Sequence, residues 1–116
     1  MPETVLLTGA TGFVGRHLRP ALEAAGYRVR CTSRDPRRAE ASAPDVDWVR
    51  LDLDDPASLE PAMEGCQRAL YLIHGMGSGE DYAEREVAGA RRFRAAAEAA
   101  GLQRLVYLGG VAPAGE

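Results

Sequence analysis

Three glycines recur at three-residue spacing near the start of the chain, in Thr8-Gly9-Ala10-Thr11-Gly12-Phe13-Val14-Gly15. They follow an apolar run and precede a segment of helical periodicity, the context in which such glycines serve a phosphate group. Gly9 permits a sharp turn off a strand, Gly12 leaves room for a diphosphate where a Cβ would stand, and Gly15 lets helix and sheet approach closely. Thr11 belongs to the same turn. Unpaired amides at the start of the helix, around Phe13 and Val14, then point outward with the positive end of the helix dipole. The anionic diphosphate of a nicotinamide dinucleotide suits this arrangement.

A second group of polar residues stands about twenty positions further on, in Thr32-Ser33-Arg34-Asp35. Folds that prefer NAD tend to place an acid here to hold the ribose hydroxyls. Arg34 fits NADP better, because its planar fork can pair with a 2′-phosphate and stack on adenine. Ser33 can donate its hydroxyl, and Arg37 or Arg38 can add charge nearby. Asp35 keeps NAD open as the alternative, with helix capping as its competing duty. In Asp52-Leu53-Asp54-Asp55, Asp52 can accept from the adenine amino group and Leu53 can pack on the ring, although a capping cluster has the same composition. The run Ile73-His74-Gly75-Met76-Gly77 is expected beside the nicotinamide ribose, which adds His74, Gly75 and Met76 to the cofactor site. A lone histidine at a strand end is more often structural than a proton carrier, so no catalytic residue is assigned. His17 is expected at the surface. No Cys, His and carboxylate spacing indicates a metal.

These groups must be positioned by alternating strands and helices. Short aliphatic runs at 4–8, 27–32, 46–51, 69–74 and 104–108 read as five strands buried on both faces. Between the first two, Val14, Leu18, Ala21, Leu22 and Ala25 recur at helical spacing over 13–25, and Gly26 closes the segment. Short helices are expected after Asp35-Pro36 and after Asp55-Pro56, each with an acidic N-cap and Pro at the first helical position. A longer one over 82–100 places Ala83, Val87, Ala90, Phe93, Ala97 and Ala100 on one stripe and ends at Gly101. Right-handed crossovers then give a doubly wound parallel sheet of five strands in the order 3-2-1-4-5, a three-layer α/β/α arrangement with a ligand crevice where the winding reverses. The fifth strand is left at an edge, where unpaired backbone groups invite a second copy, so a homo-oligomer through that edge is expected.

Composition narrows the classes further. The chain has 116 residues, which bounds it at one domain. A net charge of −3 with interleaved signs argues against nucleic acid as a partner. No apolar run reaches the ~20 residues of a membrane span, and Met1-Pro2-Glu3 leads straight into a strand without a secretory pattern, so a cytoplasmic protein is expected. Cys31 and Cys66 sit in apolar surroundings and read as buried, reduced thiols. All 14 Lys and Arg residues are Arg. Schiff-base chemistry, a phosphate-loop lysine and a Tyr-x-x-x-Lys proton-transfer pair therefore cannot come from these residues.

Taken together, Thr8 to Gly15, Asp52-Leu53, Tyr71-Leu72-Ile73-His74-Gly75-Met76-Gly77 and Val106-Tyr107-Leu108-Gly109-Gly110 resemble the atypical, extended-like short-chain dehydrogenase/reductases, including NmrA-like and epimerase-like NAD(P)-binding proteins. The resemblance runs the length of the chain. It implies a Rossmann fold over 1–116, a nicotinamide cofactor, and a substrate region contributed by chain beyond the fifth strand. In that family a Tyr-x-x-x-Lys pair would follow strand 5, and a Ser or Thr orienting substrate would fall near Gly109 and Gly110. The resemblance leaves two functions: the NADP-preferring cofactor domain of an oxidoreductase, or a non-catalytic NAD(P)-binding sensor or structural module.

Overall fold

The computed structural model describes residues 2–9, 13–72 and 80–108. The elements are β1 (Thr4–Leu7), α1 (Phe13–Ala24), β2 (Arg28–Ser33), α2 (Pro36–Ser42), β3 (Asp47–Arg50), a 3-10 turn (Pro56–Ser58) that runs into α3 (Leu59–Met63), β4 (Arg68–Leu72), α4 (Glu80–Ala99) and β5 (Arg104–Leu108). All strands pair in parallel, in the order β3-β2-β1-β4-β5. The winding expected from right-handed crossovers is therefore the winding found, and it reverses between β1 and β4.

Alternation along β1 divides the core in two. Leu6 and Leu7 are adjacent, both wholly buried, and belong to different clusters because successive side chains of a strand point to opposite faces. Leu6 joins Leu59, Ala62, Met63, Ala69, Tyr71, Phe93 and Ala97 beneath α3 and α4. Leu7 joins Val29 and Cys31, covered by Leu18 and Leu22 of α1 and flanked by Val46 and Trp48. Each large side chain fully buried in this way contributes about 1.5–3 kcal/mol. Tyr71 anchors the first layer, its ring 4.7 Å from that of Phe93 and 5.7 Å, edge-on, from Tyr107. Both cysteines are buried and unbridged, as their surroundings predict.

Polar ties hold the strand ends in register. Arg30 leaves β2 to donate to the carbonyls of Ala62 and Glu64 at 3.0 and 2.6 Å, which closes the C-terminal end of α3. Glu3 takes Arg68 at 2.6 Å across β1 and β4.

Two expectations about helices need correction. The buried side of α4 is Gly89, Phe93, Ala96 and Ala97, whereas Val87 is 52% exposed and Ala100 is exposed. At 3.6 residues per turn the separation of Val87 from Phe93 rotates about 120° around the axis, so the two do not share a face. Asp55, expected to cap the helix after it, makes no side-chain cap bond. Its carboxylate pairs instead with Arg50 at 2.8 Å, and Ser58 Oγ donates to the carbonyls of Asp52 and Asp55 to close the turn. An ion pair with a neighbouring arginine has outcompeted the cap.

Candidate functional site

The C-terminal edge of the sheet carries the candidate residues. At the end of β1, Gly9 has φ +69°, a conformation that glycine adopts without steric cost. Thr8 is buried, and its amide and hydroxyl both donate to the Leu70 carbonyl of β4, at 3.1 and 3.4 Å. These bonds fix the direction in which the chain leaves the sheet. Helix α1 then begins at Phe13, so the amides of Phe13 and Val14 lie in its first turn, and Gly15 is buried. Thr11 and Gly12 lie outside the described residues, as do His74, Gly75 and Met76.

The end of β2 opens into a groove of about 610 Å³ between α1 and α2. Ser33, Arg34 and Asp35 line its mouth, Arg16 and Arg19 come from α1, and Arg38 comes from α2. Among the described residues no carboxylate pairs with Arg34 or Arg38, whereas Arg19 is held by Glu23 at 3.1 Å. Asp35 caps α2, with Oδ1 accepting the Arg38 amide at 3.3 Å and Pro36 occupying the first turn. Ser33 Oγ accepts the Asp35 amide at 3.0 Å, which leaves its own proton available to donate. The mouth of the groove thus offers two guanidinium groups and a hydroxyl donor, the chemistry that receives a phosphate.

The floor of the groove is apolar, with Cys31, Ala39, Val46 and Trp48. Trp48 is pinned by its indole N–H to the Ala43 carbonyl at 2.9 Å. Burial pushes the Cys31 thiol up to about 11, against the pull of Arg19 and with help from Glu23 and Asp47. Cys31 is therefore a packing group rather than a nucleophile.

Asp52 and Leu53 leave the same edge one strand further out, since Ser33 and Arg50 are register partners and the Leu51 amide donates to the Ser33 carbonyl at 3.0 Å. They do not line the groove. One oxygen of Asp52 accepts the Asp54 amide at 3.0 Å, and the other carboxylate oxygen stands 3.7 Å from Arg50. The side chain of Leu53 packs against the layer beneath α4, while its carbonyl is held by Arg92 at 3.0 Å. Arg92 of α4 thereby ties this loop down on the same side of the sheet. Sequence reading did not single out Arg16 as a groove residue; the signal available was a basic residue directly after the third glycine of the motif. Of the pair Arg37 and Arg38, it is Arg38 that lines the groove.

Comparison with known sequences decides the family: the profile described as NAD(P)H-binding matches residues 9–114. The chain belongs to the NAD(P)H-binding family. Within it, the chain is 35% identical over 121 residues to a dihydroflavonol 4-reductase-like protein of Synechocystis sp., an alignment covering 99% of this chain and 35% of that protein. A solved short-chain dehydrogenase/reductase superfamily protein from Agrobacterium tumefaciens, with bound NAD, superposes with a TM-score of 0.71 at 32% identity, over 90% of this chain and 32% of that one. The triphenylmethane reductase of Citrobacter sp., complexed with NADP(H), shares the fold with a TM-score of 0.74 at 24% identity, over 90% of this chain and 36% of that one. The chain thus spans about a third of the length of the relatives it matches, and it is an NAD(P)-binding domain of that family. Its five-stranded sheet in the order 3-2-1-4-5 is the Rossmann-type arrangement that the sequence resemblance implies.

Proposed function

We propose that this domain binds NADP(H) in preference to NAD(H) and supplies the cofactor half of an atypical short-chain dehydrogenase/reductase. The observation that carries this reading is the groove at the end of β2, which Arg34 and Arg38 both line, among the described residues without a paired carboxylate, while the nearby acid, Asp35, caps the helix. Because the Agrobacterium relative holds NAD and the Citrobacter structure holds NADP(H), the fold serves both nucleotides, and the choice falls to these side chains. Gly9, Thr11, Gly12 and Gly15 with the first amides of α1 would hold the diphosphate, Ser33, Arg34 and Arg38 the 2′-phosphate, and Asp52 the adenine amino group. Leu53 would border the ring through its backbone, and His74, Gly75 and Met76 would flank the nicotinamide ribose. When bound, the cofactor supplies the hydride chemistry.

In this reading residues 1–116 are the cofactor-binding unit and the substrate region lies elsewhere. Among the described residues β5 pairs with β4 alone, and its other edge is a template through which a second copy would pair to give a homo-oligomer. Among the described residues no helix is long and apolar enough to cross a membrane. Two buried, unbridged thiols fit the cytoplasm, the compartment in which they stay reduced.

Titration with adenosine 2′,5′-bisphosphate and with 5′-AMP tests the nucleotide preference on its simplest ligands. The bisphosphate is expected to bind more tightly, and the difference is expected to vanish in Arg34→Ala. Equal binding by the parent chain contradicts the proposal.

A further inference from the structure

The groove between α1 and α2 is larger than a 2′-phosphate requires. A phosphate needs only its mouth, at Ser33, Arg34 and Arg38, and Asp52, to which the adenine is given above, does not line it. The floor runs the other way. Val46 precedes β3, and because Asp47 is the register partner of Arg30, Val46 lies level with Val29, four residues before Ser33. At the rise of a strand the floor extends about 13 Å from the mouth toward the N-terminal edge of the sheet. The gap follows from the residues that flank it. Cys31 and Trp48 are register partners and share the sheet face beneath both helices. The buried side chain of α2 is Ala39, too short to fill the space beside it. Helix α1 packs Leu18 and Leu22 on the cluster of Leu7, Val29 and Cys31 and presents Arg16 and Arg19 to the groove.

What remains is a cleft of about 610 Å³, the size of a small-molecule site, with an apolar floor and four lining arginines. Among the described residues Asp35 is the lining carboxylate, and it caps α2. Val46 and Trp48 are only half-buried, so part of the floor still meets water. A cationic mouth above a wet apolar floor is complementary to an anion with an apolar body. We propose that this cleft is a second ligand site, for a carboxylate on an unbranched alkyl chain, its head on Arg34 and Arg38 and its chain along Cys31, Ala39, Val46 and Trp48. The head gains charge-assisted hydrogen bonds, and the chain removes apolar surface from water. A neutral chain lacks the first contribution and a short acid lacks the second. Because the head stands on the arginines given to the 2′-phosphate, the ligand excludes NADP(H) and leaves room for NAD(H). That competition rests on the proposed function, whereas the cleft itself does not.

Trp48 is the single tryptophan of the chain, so its fluorescence reports on the floor directly. Titration with decanoate, kept below the concentration at which it forms micelles, is expected to give a saturable change, with decanol weaker and acetate without effect. Arg34→Ala and Arg38→Ala are each expected to weaken decanoate binding on the order of tenfold. Ser42 is exposed and lines the cleft from α2. Ser42→Phe, its fold checked by circular dichroism, is expected to fill the floor and abolish decanoate binding while adenosine 2′,5′-bisphosphate binding holds. The bisphosphate is expected to displace decanoate, and 5′-AMP is not. A response that does not saturate overturns the proposal, as does decanol binding as tightly as decanoate. So does decanoate that stays bound under a saturating bisphosphate whose own binding Arg34→Ala weakens. A Ser42→Phe variant that still binds decanoate also overturns it, and one that loses the bisphosphate as well gives the floor to the nucleotide instead. Equal binding of the bisphosphate and 5′-AMP contradicts the nucleotide preference alone, and decanoate with its variants then still decides the cleft.

Discussion

Asp35 and Arg38 are joined by the chain itself: the Asp35 carboxylate accepts the Arg38 backbone amide at 3.3 Å, and the same helix turn directs the Arg38 side chain to the groove shared with Arg34. The acid that in other dinucleotide folds would hold ribose hydroxyls is here a helix cap. Asp35→Ala is accordingly expected to lower stability by about 1 kcal/mol, read by urea unfolding, without a selective loss of NADH affinity. A selective loss of NADH binding with unchanged stability would restore Asp35 to the ribose.

Arg34→Ala removes charge-assisted bonds to a 2′-phosphate and leaves the rest of the dinucleotide site in place. NADPH binding is expected to weaken by about 1–3 kcal/mol while NADH binding holds, as measured by fluorescence titration. An equal loss for both cofactors would place Arg34 against a part common to the two.

At Gly89 α4 packs against the loop after β3. A Cβ there would stand 3.0 Å from Leu53 Cδ1 and 3.8 Å from the Tyr71 hydroxyl. Gly89→Val is expected to cost about 1–3 kcal/mol through overpacking, with a lower melting temperature. Because Leu53 precedes Asp54 and follows Asp52 on that loop, adenine-nucleotide affinity is expected to fall with it. An unchanged melting temperature would show that the loop moves aside freely.

Cys31 links burial to alkaline stability. Its thiol titrates near 9.0 when unfolded and is pushed up to about 11 in the folded chain, chiefly by desolvation. Between those values the unfolded state releases a proton that the folded state retains, so stability falls as the pH rises from 9.0 to about 11. The stabilisation is fully present below that window. Thiol-specific reagents are expected to modify Cys31 only upon unfolding, and rapid modification of the native chain at pH 8 would contradict its placement.

The sheet order, the helix positions and the placement of Arg34 were legible because each rests on local rules: apolar runs, Pro after Asp, and the fixed hand of the crossovers. What was not legible depended on competition between partners distant in sequence or in angle. Asp55 looks like a cap until Arg50 is seen beside it, and Val87 fits an aliphatic count over α4 until the rotation relative to Phe93 is taken into account. Arg92 gave no local sign of its bond to the Leu53 carbonyl, since its partner is brought near only by the packing of α4 on α3. Arg16 was visible as a residue but not as part of the groove that Arg34 lines, because that placement follows from how α1 and α2 flank the end of β2.

The most direct test of nucleotide recognition is isothermal calorimetry of the 116-residue chain with NADPH and NADH under identical conditions. Saturable binding of both is expected, with NADPH tighter. Equal affinities would remove the role given to Arg34 and Arg38, and no heat of binding with either would contradict the dinucleotide site itself.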